Sequence, residues 1–91
     1  MLSNNIENIK NKMLQIAYNS VRMRVSKTLL LVVKNDPLKT IIISRSDLAN
    51  ITGVAKETLI RTLSDFREEG LIKTSRTTVI VLDEQKLEKV R

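Results

Sequence analysis

The chain contains no cysteine and no histidine. Without cysteine there are no disulfides, no thiolate zinc or iron–sulfur ligands, and no thiol nucleophile. Without histidine the commonest general base and the commonest metal ligand are missing. Aromatic residues are scarce, with only Tyr18 and Phe66, and so are glycines, with only Gly53 and Gly70. That scarcity favours helix over a β-rich fold. The longest apolar run, Leu29–Val33, falls far short of the roughly 20 residues that a membrane span needs. The N-terminus carries Glu7 and several asparagines, which is no signal-peptide pattern. These absences point to a non-enzymatic, cytoplasmic binding module with no cofactor and no membrane in its function.

What is present is a basic chain of 91 residues, 42% hydrophobic, with 16 Lys+Arg against 10 Asp+Glu and a formal charge of +6. That length suits one small domain, or a domain with an arm. A basic balance suggests a polyanion partner, most often nucleic acid. The charge is uneven, however. Residues 1–34 hold six basic groups and one acid; residues 35–82 hold seven basic and six acidic; residues 83–91 hold three of each.

Leu2, Ile6, Ile9, Met13 and Ile16 are spaced by 4, 3, 4 and 3 residues, the seam of a heptad repeat. The residues between them are polar. A stripe this narrow suits a partner helix better than a globular core, so it predicts a homodimer seam. At Asn19-Ser20, two poor mid-helix residues, a helix break is expected. A second helix then carries Val21, Val25, Leu29, Val32 and Val33 inward. Asn35 to Lys39, with Asp36-Pro37, reads as a loop. Thr40 to Ile43 is β-branched and reads as a strand.

Ser44 to Asn50 reads as a short helix capped by Ser44, with Leu48, Ala49 and Ile51 on its apolar side. A tight break follows at Thr52 to Val54, then a helix from Ala55 to Glu69 with Leu59, Leu63 and Phe66 inward. Gly70 suits the helix end. Leu71–Lys73 and Val79–Leu82 read as two strands joined by the polar tip Thr74 to Thr77. Asp83 to Val90 reads as a last short helix.

The order helix, glycine turn, helix, hairpin describes a winged helix-turn-helix. Ala49 is small where the first helix meets the second, Gly53 tolerates the turn, and Leu59 packs back. The fold class is therefore mainly α with a small β-wing, preceded by a dimerisation helix: residues 1–19 form that helix and residues 20–91 the winged helix. In such a fold the second helix enters the major groove of double-stranded DNA. Its outward residues are Lys56, Glu57, Ile60, Arg61 and Ser64. Arg can read guanine O6 and N7, and Glu can accept from cytosine N4. Glu57 can also hold Arg61 in place, one turn away. The bland alternative is a surface salt bridge on a winged helix that serves as a protein-interaction module without sequence-specific DNA binding.

The segment ISRSDLANITGVAKETLIRTLSDFREEGLIKTSRTTVIVL, Ile43 to Leu82, resembles the DNA-binding domain of Crp/Fnr transcription regulators, the relatives of the cyclic-AMP receptor protein. Arg45 with Leu48-Ala49, Glu57-Thr58-Leu59 with Arg61, and Gly70-Leu71-Ile72 carry the likeness. AYNSVRMRVSKTLLLVV, Ala17 to Val33, resembles the helix entering that domain. The resemblance implies base reading by Lys56, Glu57 and Arg61, with Ile60 beside them. It implies phosphate contacts by Ser44, Arg45, Ser46, Thr58, Ser75 and Arg76. It implies that the loop Asn35 to Lys39 matches a surface through which some activators touch RNA polymerase. It implies an effector-binding β-barrel upstream, where a cyclic nucleotide or other effector binds, so that the chain is either an excised C-terminal domain, the preferred reading, or a stand-alone regulator. Three positions depart from the pattern. Ala55 stands where a capping Ser or Thr is frequent, Ile60 where Gly or Ser is frequent, and the wing tip lacks its usual Gly.

Overall fold

A computed structural model of the chain describes the backbone of residues 2–90 and the side chains of residues 9–90. Helix α1, Leu2–Val33, is followed by β1, Thr40–Ile42, then α2, Arg45–Thr52, and α3, Lys56–Glu68. The hairpin β2, Ile72–Thr74, and β3, Thr78–Val81, comes next, and α4, Glu84–Glu88, ends the fold.

The break expected at Asn19-Ser20 is absent: α1 runs through both residues. The Asn19 side chain accepts a hydrogen bond from Gln15 Nε2, one turn back, at 3.2 Å. That bond turns a would-be cap into a helix rung. Ser and Asn cost only a few tenths of a kcal/mol against better helix formers, and no Pro or Gly reinforces them. At 1.5 Å per residue the helix is about 48 Å long, and it gives the molecule its longest extent, 55 Å against 26 and 19 Å. Its C-terminal third anchors it. Val25, Leu29 and Val33, four residues apart on one stripe, are fully buried, and Val21 packs at their edge. Val32, expected inward, lies off that stripe and is exposed.

The Asn35–Lys39 loop turns on Asp36. Its carboxylate accepts from the N–H groups of Leu38 and Thr40 at 2.9 and 3.3 Å. Lys39 has φ 51°, in the left-handed region, and its Nζ reaches Glu84 at 3.1 Å.

The three strands form an antiparallel sheet in the order β1-β3-β2. Ile41 pairs with Val79 and Ile72 with Val81, and these four side chains form the sheet's buried face. The strands of the hairpin sit one residue from their expected limits, a shift within the ordinary fraying of strand ends. The core lies between this face, α1, α2 and α3, with Leu48, Leu59, Leu63, Phe66 and Leu87 closing it. Ile51, expected on the apolar side of α2, is exposed. Thr52 is buried in its place, four residues after Leu48, with its hydroxyl donating to the Leu48 and Ala49 carbonyls at 2.9 and 3.1 Å.

Candidate nucleic-acid interface

The two helices of the central unit are set by their ends. Ser44 caps α2, its hydroxyl accepting from the Asp47 N–H at 3.1 Å. Gly53 closes α2 with φ 72°, and its N–H donates to the Ala49 carbonyl at 2.9 Å. Only a residue free of Cβ adopts that angle without strain. The next helix, α3, starts at Ala55, whose backbone has cap geometry (φ −64°, ψ 143°) but whose side chain makes no cap bond. At its far end Gly70 has φ 77°. Its N–H donates to Arg67 and that of Leu71 to the Phe66 carbonyl, at 3.1 and 2.9 Å, which turns the chain into the wing.

Burying Leu59, Thr62, Leu63 and Phe66 leaves Lys56, Glu57, Ile60 and Arg61 on the exposed face of α3, with Thr58 and Ser64 half-buried. Glu57 sits in the first turn, where a carboxylate meets the positive end of the helix dipole. It does not hold Arg61. Among the described residues the ion pairs are Arg22–Asp65, Arg22–Glu69 and Lys39–Glu84. Arg61 instead lies over the ring of Tyr18 on α1, its Cζ 4.4 Å from the ring centroid. At an exposed site such a contact is worth about 0.5–1 kcal/mol, at least as much as an exposed i, i+4 ion pair.

Between α3 and the wing is an open cleft of about 410 Å³, where Arg45, Arg67 and Arg76 meet the hydroxyl-bearing Ser64, Thr74 and Ser75. No acidic residue lines it. Arg45 donates through Nη2 to the Ser75 carbonyl at 2.6 Å. Its Nη1 is buried without a protein acceptor, and burial pushes its guanidinium below the ordinary arginine range. Arg67 Nη2 lies 3.4 Å from Ser64 Oγ. Ser46 is exposed in the first turn of α2.

Behind α3, Tyr18 donates its hydroxyl to Asp65, and Arg22 reaches Asp65 at 3.7 Å and Glu69 at 2.8 Å. Arg22 also lies over the Phe66 ring, 5.2 Å from its centroid. Burial first, then the Asp65 hydrogen bond, raises the Tyr18 phenol above its ordinary range. Along the rest of α1, Ile9, Met13 and Ile16 of the expected seam are exposed, as is Leu14. The side chains of Leu2 and Ile6 lie outside the described residues.

A family model described as the Crp-like helix-turn-helix domain matches residues 23–90, well over half of the chain. The chain belongs to this family. Its Crp-like domain is a DNA-binding, transcription-regulatory winged helix of the Crp/Fnr type. It is similar to the catabolite activator protein of Thermus thermophilus, with 25% identity over 98% of this chain and 42% of that one, at a TM-score of 0.90. A CRP-family transcriptional regulator of the same organism is also 25% identical, over 97% of this chain and 52% of that one, at a TM-score of 0.67. The CO-sensing protein of R. rubrum, 13% identical over 99% of this chain and 45% of that one, shares the fold at a TM-score of 0.85. The chain thus spans roughly half the length of these solved proteins or less. Among curated proteins none matches significantly. No described helix of the Crp-like domain is long and apolar enough to cross a membrane.

Two residues of this surface escape a reading of the sequence. Arg67 sits three positions after Ser64 on the outward face of α3, a spacing that could have flagged it. Tyr18 carries no local signal, because its partners Arg61 and Asp65 lie more than forty residues away.

Proposed function

We propose that the chain is the sequence-specific DNA-binding domain of a bacterial Crp/Fnr-type regulator and is not an enzyme. Helix α3 enters the major groove of double-stranded DNA, with Lys56, Glu57, Ile60 and Arg61 at base edges. Ser44, Arg45, Ser46, Thr58, Ser75 and Arg76 contact backbone phosphates, and Arg67 joins them. The observation that carries this reading is the pairing of two surfaces: an exposed α3 face holding the four readers, and beside it an acid-free cleft of three arginines.

The seam Leu2, Ile6, Ile9, Met13 and Ile16 pairs two copies, one recognition helix per half-site. Residues 1–19 act as the dimerisation arm and residues 20–91 as the reader. In the full regulator a cyclic nucleotide or other effector binds an upstream domain, and the loop Asn35 to Lys39 is a candidate contact for RNA polymerase. Such a regulator works in the cytoplasm.

Gel shifts with a selected site test the reading. Glu57→Ala and Arg61→Ala should each relax the preference at one base pair, by about 1–3 kcal/mol. Unchanged sequence preference in both variants would remove the base-reading assignment. Binding by the wild-type chain should also weaken by about 10³ or more between 50 and 200 mM salt, for six or more phosphate contacts.

A further inference from the structure

Arg61 reaches out of α3 to α1. Its guanidinium carbon lies 4.4 Å from the centroid of the Tyr18 ring. Among the described residues no carboxylate pairs with it and no acceptor takes its hydrogen bonds. An arginine has five N–H donors around a planar fork. Contact over a ring uses the guanidinium as a cation and leaves those donors unspent.

The ring is itself held. Its hydroxyl donates to Asp65, one turn beyond Arg61 on the same helix. Asp65 also faces Arg22 at 3.7 Å, and Arg22 pairs with Glu69 at 2.8 Å. Tyr18 therefore spans a full turn of α3, anchored at Asp65 and covering Arg61. A free arginine must give up its rotamer freedom when it binds, whereas one settled beforehand gives up less.

We propose that Tyr18 is a positioning residue for DNA reading: its ring holds the Arg61 guanidinium with the N–H fork free for a guanine, so that α1 helps to set the specificity of α3. This inference rests on the reading of Arg61 as a base-contacting residue.

The test uses the whole 91-residue chain and fluorescence anisotropy on a duplex obtained by binding-site selection. The base pair read by Arg61 is the one at which Arg61→Ala relaxes the preference. Tyr18→Leu should weaken binding to the selected duplex by about two- to ten-fold, the range expected for ordering one long side chain. It should not weaken binding when that base pair is already replaced, or when Arg61→Ala is present. Tyr18→Phe keeps the ring but loses its anchor at Asp65, so its loss should be smaller than that of Tyr18→Leu, and circular dichroism melts should show both variants folded. Three results would overturn the proposal. One is no loss with Tyr18→Leu. Another is an equal loss in the Arg61→Ala background, which marks a merely structural role. The third is tighter binding without the ring, which marks a competitor of DNA. If Arg61→Ala alone leaves the preference unchanged, the base-reading assignment itself fails and takes this inference with it. That outcome is read without any Tyr18 variant.

Discussion

Arg45 at the start of α2 donates to the backbone carbonyl of Ser75 at the wing tip, 2.6 Å away. One side chain thus ties the helical unit to the hairpin, and its other terminal nitrogen is left buried without a protein acceptor. Arg45→Ala should lower the unfolding free energy by about 1 kcal/mol and weaken binding to DNA of any sequence. Arg45→Lys should restore part of the binding but not the tie, since an ammonium lacks the fork that serves both directions. Urea melts and anisotropy on specific and random duplexes separate the two effects.

Arg67 and Arg76 line the same acid-free cleft. Each change to Ala should reduce the slope of log affinity against log salt by about 0.9, one phosphate contact, with sequence preference intact. Lys73, exposed on a strand position that alternates with buried Ile72, serves as the control. An equal slope change in Lys73→Ala would mean that the cleft has no special role.

Ala55 occupies a cap position with a suitable backbone and no cap bond. Ala55→Ser should therefore stabilise the domain, by about 1 kcal/mol. For a domain of this size that raises the melting temperature by about 4–8 °C. A thermal melt with no rise would show that the first turn of α3 is satisfied by other means.

The Tyr18 phenol is held above its ordinary range by burial and by Asp65, with the Arg61 charge opposing. A raised value favours the protonated form in the folded state. The resulting stability is complete below the phenol's unfolded-state pKa of about 10 and is lost as pH rises through the higher folded value. The stability difference between wild type and Tyr18→Phe should be flat from neutral pH to about 9 and shrink above about 10. A difference that shrinks near neutral pH would contradict the assignment.

The exposed Ile9, Met13 and Ile16 make a seam of about two heptads, short for an isolated coiled coil. Sedimentation should show a weak, concentration-dependent dimer that Met13→Lys abolishes. Monomer alone at high concentration would count against the seam.

Most elements are legible in the sequence because their signals are local. Ser44, Gly53, Gly70 and Asp83 mark ends of helices through their own backbone or side chains, and each sits at a helix end in the fold. The misreadings have local causes too. Asn19 and Ser20 resemble a cap, but a cap residue disrupts a helix only where the chain has an alternative, and here Gln15 supplies a partner within the helix. Val32 and Ile51 are apolar, yet a stripe admits only positions close to its axis. What stays out of reach is side-chain choice between distant elements. Glu57 lies one turn from Arg61, and the arginine nevertheless turns to a ring 43 positions earlier.

The unbroken run of α1 makes it a phase-keeper. At about 100° per residue, the stripe through Ile9, Met13 and Ile16 lies roughly half a turn around the rod from the stripe through Val25, Leu29 and Val33. Whatever packs on the first stripe therefore sits on the opposite side of the rod from the domain. Removing one residue near Asn19 would swing the two stripes by about 100°, whereas removing seven would nearly restore them. The count of residues between Ile16 and Val25 is thus an azimuthal setting, and in a symmetric pair it would govern which way both copies of α3 face.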